Sequence, residues 1–138
     1  MTRALLLDLD DTLVVEEPAA VAAFAATAAA AAERHPLDSR QLALDARACA
    51  RELWHEAEVS AFGRRIGISS WEALWCRYEG DDAELRAMRD WAPGFRRDTW
   101  RAALEHQGIE DDELAAELGE RFGDERRARH ETFEDAAP

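Results

Sequence analysis

Lysine is absent from this 138-residue chain, so its 17 basic residues are all arginine, set against 30 carboxylates. The net charge of −13 excludes partners that demand a basic surface, so neither nucleic acid nor an anionic membrane is an expected partner. Cysteine is scarce: Cys49 and Cys76 have neither metal-ligand nor redox spacing, which fits a reducing, cytoplasmic setting. The four histidines, His35, His55, His106 and His130, are scattered and form no ligand cluster. Long apolar runs are also missing. The run Ala4–Leu7 stops at Asp8, so no signal peptide is expected, and the uncharged stretch Ala19–Ala32 is too short and too alanine-rich to span a bilayer. Clear linkers and repeats are absent. Strands are scarce as well, since only the N-terminal apolar run reads as a buried one, and a parallel sheet needs several strands joined by crossovers.

What is present is helical patterning. Pro18 lies near the first turn of a helix that runs to Arg34 through the alanine run Ala28–Ala32, and its low bulk suits close packing. Asp38 or Ser39 caps a second helix reaching about Glu58, with Leu42, Ala46, Cys49, Leu53 and Ala57 on one stripe. Between Val59 and Ile68 the pattern lapses, and Gly63 and Gly67 bracket Arg64 and Arg65 in an expected loop. Ser69 and Glu72 form a capping-box signature, followed by Trp71, Leu74, Trp75 and Tyr78 at helical spacing and a stop at Gly80. Asp81 or Asp82 starts a short helix through Leu85, Met88 and Trp91, closed by a turn at Pro93-Gly94. A further helix spans Arg96 to His106, with Trp100 and Leu104 inward and Gly108 at its end. The last begins near Asp111, places Leu114, Leu118 and Phe122 inward, and extends towards Arg129. Its cluster Arg126, Arg127 and Arg129 reads as the basic end of a helix, where cations suit the dipole. The five tryptophans are spaced as core residues.

The chemistry is concentrated at the start. Arg3 to Leu13 reads RALLLDLDDTL, an apolar strand that ends in Asp8, Asp10 and Asp11 before Thr12. Alternate residues of a strand share a face, so Asp8 and Asp10 point the same way if the chain stays extended through Leu9. Two carboxylates 4 Å apart repel by about 1 kcal/mol in water and roughly 4 kcal/mol at an effective dielectric of 20. Keeping them together calls for a cation or a shared proton.

At these residues the chain resembles the haloacid dehalogenase superfamily, whose first motif is a strand ending in Asp-x-Asp-x-Thr, here Asp8-Leu9-Asp10-Asp11-Thr12. The resemblance implies that Asp8 is the nucleophile and binds Mg²⁺. Asp10 would be the general acid and base, its carbonyl also binding the metal, and Thr12 would contact substrate. Asp10 favours the phosphatase branch over carbon-halogen hydrolysis. The implied fold is mainly α with one N-terminal β-strand: a helical cap bundle plus the first strand of an incomplete Rossmann-like α/β core. The expected organisation is 1–16 as first strand and acidic turn, 17–132 as helical cap, and 133–138 as the start of a return to the core. A small phosphorylated metabolite is the implied substrate, and Arg64 and Arg65 on the cap loop are candidate contacts for it. The family's later motifs, a Thr or Ser for the phosphoryl group, a lysine and a further acidic pair, find no match. Gly80-Asp81-Asp82 and Gly123-Asp124 follow no apolar strand and read as caps or turns. The expectation is a fragment, or a chain whose missing core half comes from a partner. A second reading of the same pattern is a non-catalytic acidic helical module that self-associates or docks on a partner through an unpaired strand.

Overall fold

The computed structural model describes residues 15–129 and 131–133. The expected N-terminal strand, with Asp8, Asp10 and Thr12, lies outside the described residues, as does any Rossmann-like core.

Four long helices carry the fold: α1 (Glu17–Ala32), α2 (Ser39–Glu56), α5 (Ala83–Glu105) and α6 (Asp112–Arg127). Two short ones, α3 (Ser60–Arg65) and α4 (Ser70–Ala73), lie in the connection between α2 and α5. The long helices touch in a closed ring, α1 to α2, α2 to α5, α5 to α6 and α6 back to α1. Cross-links show that neighbours run antiparallel. Arg34 at the end of α1 meets Glu117 early in α6, whereas Glu16 before α1 meets Arg126 in the last turn of α6. The result is an up-down-up-down four-helix bundle.

Alanine makes α1 slim. Its buried face is Ala19, Ala20, Ala23, Phe24, Thr27, Ala28 and Ala31, and the single bulky member, Phe24, packs at a tilt of 41° against Phe122 with centroids 4.4 Å apart and lies 6.0 Å from Trp100. A second aromatic group, Trp54, Trp91 and Phe95, joins α2 to α5, with ring centroids 4.4 to 6.3 Å apart. Only Trp54 and Trp100 are fully buried; Trp71, Trp75 and Trp91 are half-buried against the same core.

Caps fix the helix starts. Asp38 accepts the N–H groups of Arg40 and Gln41, Asp82 that of Glu84, and Asp111 that of Leu114. At α4 the capping box is complete: Glu72 N–H donates to Ser69 Oγ, and Ser69 N–H to Glu72 Oε2.

Four sequence expectations are corrected. Residues 60–65 are a helix, not a loop, and Gly67 (φ 87°) ends it in a Schellman motif, with Ile68 N–H on Gly63 C=O at 2.9 Å and Gly67 N–H on Arg64 C=O at 3.2 Å. The helix begun by the capping box stops at Ala73 and does not reach Tyr78. Tyr78 itself lies in the left-handed region (φ 53°), and its hydroxyl occupies the carbonyl of Ala73 that the next helical turn would offer to Arg77 N–H; arginines then hold the non-helical connection, Arg127 Nη1 donating to Trp75 C=O and Arg96 Nη2 to Cys76 C=O. Pro93-Gly94 is no turn either. Helix α5 runs unbroken through it because Pro93 is exposed, so the carbonyl it leaves unbonded faces water, while Met88, Ala92, Phe95, Thr99 and Ala103 form one buried stripe across the site. Gly123-Asp124 likewise lies inside α6 and is neither cap nor turn.

Candidate functional site at the chain junction

The two ends of the bundle's chain meet. Val15 N–H donates to the carbonyl of Glu131 at 2.9 Å, so the segments entering α1 and leaving α6 lie side by side. Two residues, Leu13 and Val14, separate Val15 from Thr12, which makes this face of the bundle the one nearest the acidic motif along the chain.

Beneath that backbone bond is a buried ion pair. Arg126 is fully buried and its Nη2 stands 2.5 Å from Oε2 of Glu16, itself 4 % exposed. The guanidinium carbon lies 5.1 Å from the centroid of the Trp75 ring, so the cation also rests on an aromatic face. Arg126 and Arg127 do form the basic last turn of α6, but Arg126 is turned into the core. Arg127 does reach outward, to Asp124 at 2.8 Å, and Arg129 pairs with Glu125.

The connection between α4 and α5 closes the same end. Its turn is held by Tyr78, whose backbone is in the left-handed region (φ 53°) and whose hydroxyl donates to Ala73 C=O at 3.1 Å. Burial pushes the Tyr78 phenol well above its usual range, which keeps it a neutral donor. Beside it lies an open groove of about 350 Å³ with Ile68, Trp75, Tyr78 and Leu85 as apolar walls and Arg77, Arg127 and Glu79 at the rim.

Arg64 and Arg65 are adjacent and exposed on α3. Arg64 Nη1 donates to Ser60 Oγ at 2.9 Å; Arg65 lies over the Phe62 ring at 5.0 Å and 4.0 Å from Glu84. Glu84 is in the first turn of α5, so α3 sits towards the end of the bundle where α6 finishes. Among the described residues no group of three or more His, Cys, Asp and Glu side chains converges to hold a metal ion. No described helix is long and apolar enough to cross a membrane.

Sequence reasoning missed Glu16 and Arg126. A signal existed: Arg126 continues the Leu118, Phe122 stripe at intervals of four, which puts a charge at a core position.

The chain is similar to a phosphoserine phosphatase of Thermus thermophilus, with 38% identity over 125 residues. The match takes in 91% of this chain and 47% of that enzyme, so the chain spans about half the length of the curated relative it matches. No family model and no solved structure matches.

Proposed function

We propose that this chain carries the nucleophile and the helical cap of a phosphomonoester hydrolase of the haloacid dehalogenase type, acting on a small phosphorylated metabolite in the cytoplasm. The observation that carries the reading is the likeness, over 91% of the chain, to an enzyme named for phosphoserine hydrolysis. The acidic motif supplies the mechanism. In this reading residues 1–16 bring the catalytic strand, 17–132 the cap and 133–138 the return to the core, and the joined ends at Val15 and Glu131 suit a bundle set into a host domain.

Phosphate monoester hydrolysis is among the slowest uncatalysed reactions, and a carboxylate nucleophile divides it into two displacements. Asp8 attacks phosphorus, the ester P–O bond breaks, and Asp10 gives its proton to the departing alkoxide. Asp10 then takes a proton from water as that water attacks the aspartyl-phosphate, releasing phosphate and restoring Asp8. Thr12, Arg64 and Arg65 would bind the anionic substrate. The oxygen donors of Asp8 and Asp10 are the hard kind that Mg²⁺ takes, and the ion would offset the charge between carboxylate and phosphate when bound.

The test uses the native-length polypeptide with p-nitrophenyl phosphate and phosphoserine. Turnover that disappears in Asp8→Asn and on chelation, and returns with Mg²⁺, is the expected result. Full activity in Asp8→Asn would remove the nucleophile, and full activity after exhaustive chelation would remove the metal.

A further inference from the structure

We propose that the outer face of α1 is a self-association surface, on which a second copy of this chain packs with the two α1 helices side by side and parallel. The surface belongs to the bundle alone and is independent of the phosphatase reading.

Helix α1 is apolar all round. Alanines, Phe24 and Thr27 fill its inward face, yet its exposed positions Pro18, Val21, Ala22, Ala25, Ala29 and Ala32 carry no charge either. Val21 stands 47% exposed. The exposed faces of α2, α5 and α6 all bear arginines and carboxylates. A helix without a polar face belongs in an interior, and an uncharged strip on a chain with 34% charged residues marks a contact surface. Positions 18, 22, 25, 29 and 32 alternate steps of four and three, the spacing of a seam for a neighbouring helix, and alanine lets two axes approach to about 8 Å.

The flanks of the strip identify its occupant. Arg47 pairs with Glu17, so it sits on the α1 side of α2, and Arg40, Arg51 and the exposed Leu44 fall on the same stripe. The carboxylates of α2 are on its other side, where Asp45 faces His106 of α5 and Glu52 and Glu56 follow at helical spacing. On α6, Glu117 pairs with Arg34 of α1, and Glu113 and Asp124 share its stripe. Arg121 nearby is paired with Glu125. The uncharged strip thus lies between a row of arginines and a row of carboxylates. The side chains of Arg40, Arg51 and Glu113 have no ion pair or hydrogen bond among the described residues.

A two-fold axis parallel to α1 brings the arginine row of each copy over the carboxylate row of the other, whereas an axis across α1 would face like rows together. The levels agree as well. The beginnings of α2 and α6 lie at the same end of the bundle, since His35, in the α1–α2 turn, meets Asp111 at the start of α6. Arg40 and Glu113 are each the second residue of their helix, and Arg51 and Asp124 each follow eleven positions later, about 16 Å along either axis. Complementarity between the two flanks of one surface serves only a partner that carries the same surface, so the occupant is a second copy and not an unrelated protein. In projection the face is about 24 Å long and, three helices across, roughly 25 Å wide; two copies cover about 1,200 Å² together, the lower edge of specific interfaces.

Sedimentation equilibrium of the native-length protein, from about 1 to about 200 µM and at low and high salt, tests this. The expected result is a monomer–dimer equilibrium that weakens as salt rises. Ala25→Glu, at an exposed position in the middle of the strip, should weaken the dimer at least about tenfold while leaving the melting temperature of the dilute protein unchanged. Arg40→Glu and Glu113→Arg should each weaken the homodimer by about three- to tenfold. An equimolar mixture of those two single variants should form a heterodimer as tight as the wild-type dimer, because each altered residue then faces its opposite charge. A strictly monomeric protein across that range, which would leave the strip to another part of the polypeptide, overturns the proposal. So does a dimer indifferent to Ala25→Glu. Loss of the dimer in Ala25→Glu without recovery in the mixture overturns the parallel arrangement.

Discussion

His35 and Asp111 join the first turn of the bundle to the last helix: His35 Nε2 lies 2.9 Å from Asp111 Oδ2, while Asp111 Oδ1 accepts the N–H of Leu114 at 2.8 Å. One carboxylate thus caps α6 and ties α6 to the end of α1. The Leu114 N–H and, after it, His35 hold the Asp111 carboxyl below its usual range. The folded chain therefore binds this proton less readily than the unfolded chain, so the stabilisation is present above the ordinary aspartate value of about 3.9 and is lost as pH falls towards the lowered one. Melting temperatures measured from pH 6 down to the acid limit should show this loss in the wild type and a shallower acid slope in Asp111→Asn. Equal slopes would show that the contact does not matter to folding.

Gly63 is required by its neighbour. A methyl group there would stand 2.7 Å from Cζ2 of Trp54, closer still to Cη2, and 3.1 Å from Cε of Met88. Trp54 is buried between α2 and α5 and cannot swing aside. Gly63→Ala should destabilise by about 1–3 kcal/mol through overpacking, read as a lower denaturant midpoint at unchanged m-value. A neutral result would mean that α3 is not seated on Trp54.

Gly94 is the opposite case. It lies inside α5 with an ordinary φ, and nothing stands within 4 Å of where its Cβ would be. Gly94→Ala should raise stability by about 1 kcal/mol, the helix preference of alanine over glycine. Destabilisation would contradict a continuous α5 and restore the turn expected from the sequence.

Arg64 and Arg65 are exposed and thinly paired, so replacing both by alanine should move stability by no more than about 0.5 kcal/mol. If they bind the anionic substrate, KM for a phosphate ester should rise about three- to tenfold at unchanged kcat. An unaltered KM would return them to the solvent-facing role of ordinary surface charges.

Much of the bundle was legible where local chemistry decides. Asp38, Asp82 and Asp111 are the caps their positions suggest, and the Ser69–Glu72 box is there, because a cap is settled within four residues. What could not be read depends on distant partners. The run Trp71, Leu74, Trp75, Tyr78 has helical spacing, but Tyr78 adopts a left-handed backbone (φ 53°) in a connection held by arginines twenty and fifty-two residues away on the carbonyls of Cys76 and Trp75. Pro93-Gly94 resembles a turn, yet the apolar stripe on either side of it outweighs the missing hydrogen bond. Gly63 resembles a loop glycine until Trp54 is placed against it. For the candidate site, Arg64 and Arg65 were singled out by type and spacing and their role remains a proposal, whereas the burial of Arg126 was not legible because its carboxylate partner lies 110 positions earlier. Asp8, Asp10 and Thr12 rest on the motif itself, since they lie outside the described residues.

Helices that begin and finish at one spot, as Val15 and Glu131 do, make a cassette. Such a unit can be lifted from its host and another of different length spliced in, provided the replacement's two ends are as near to each other. Under the proposed function, selection could then exchange one helical cap for another without altering the acidic motif.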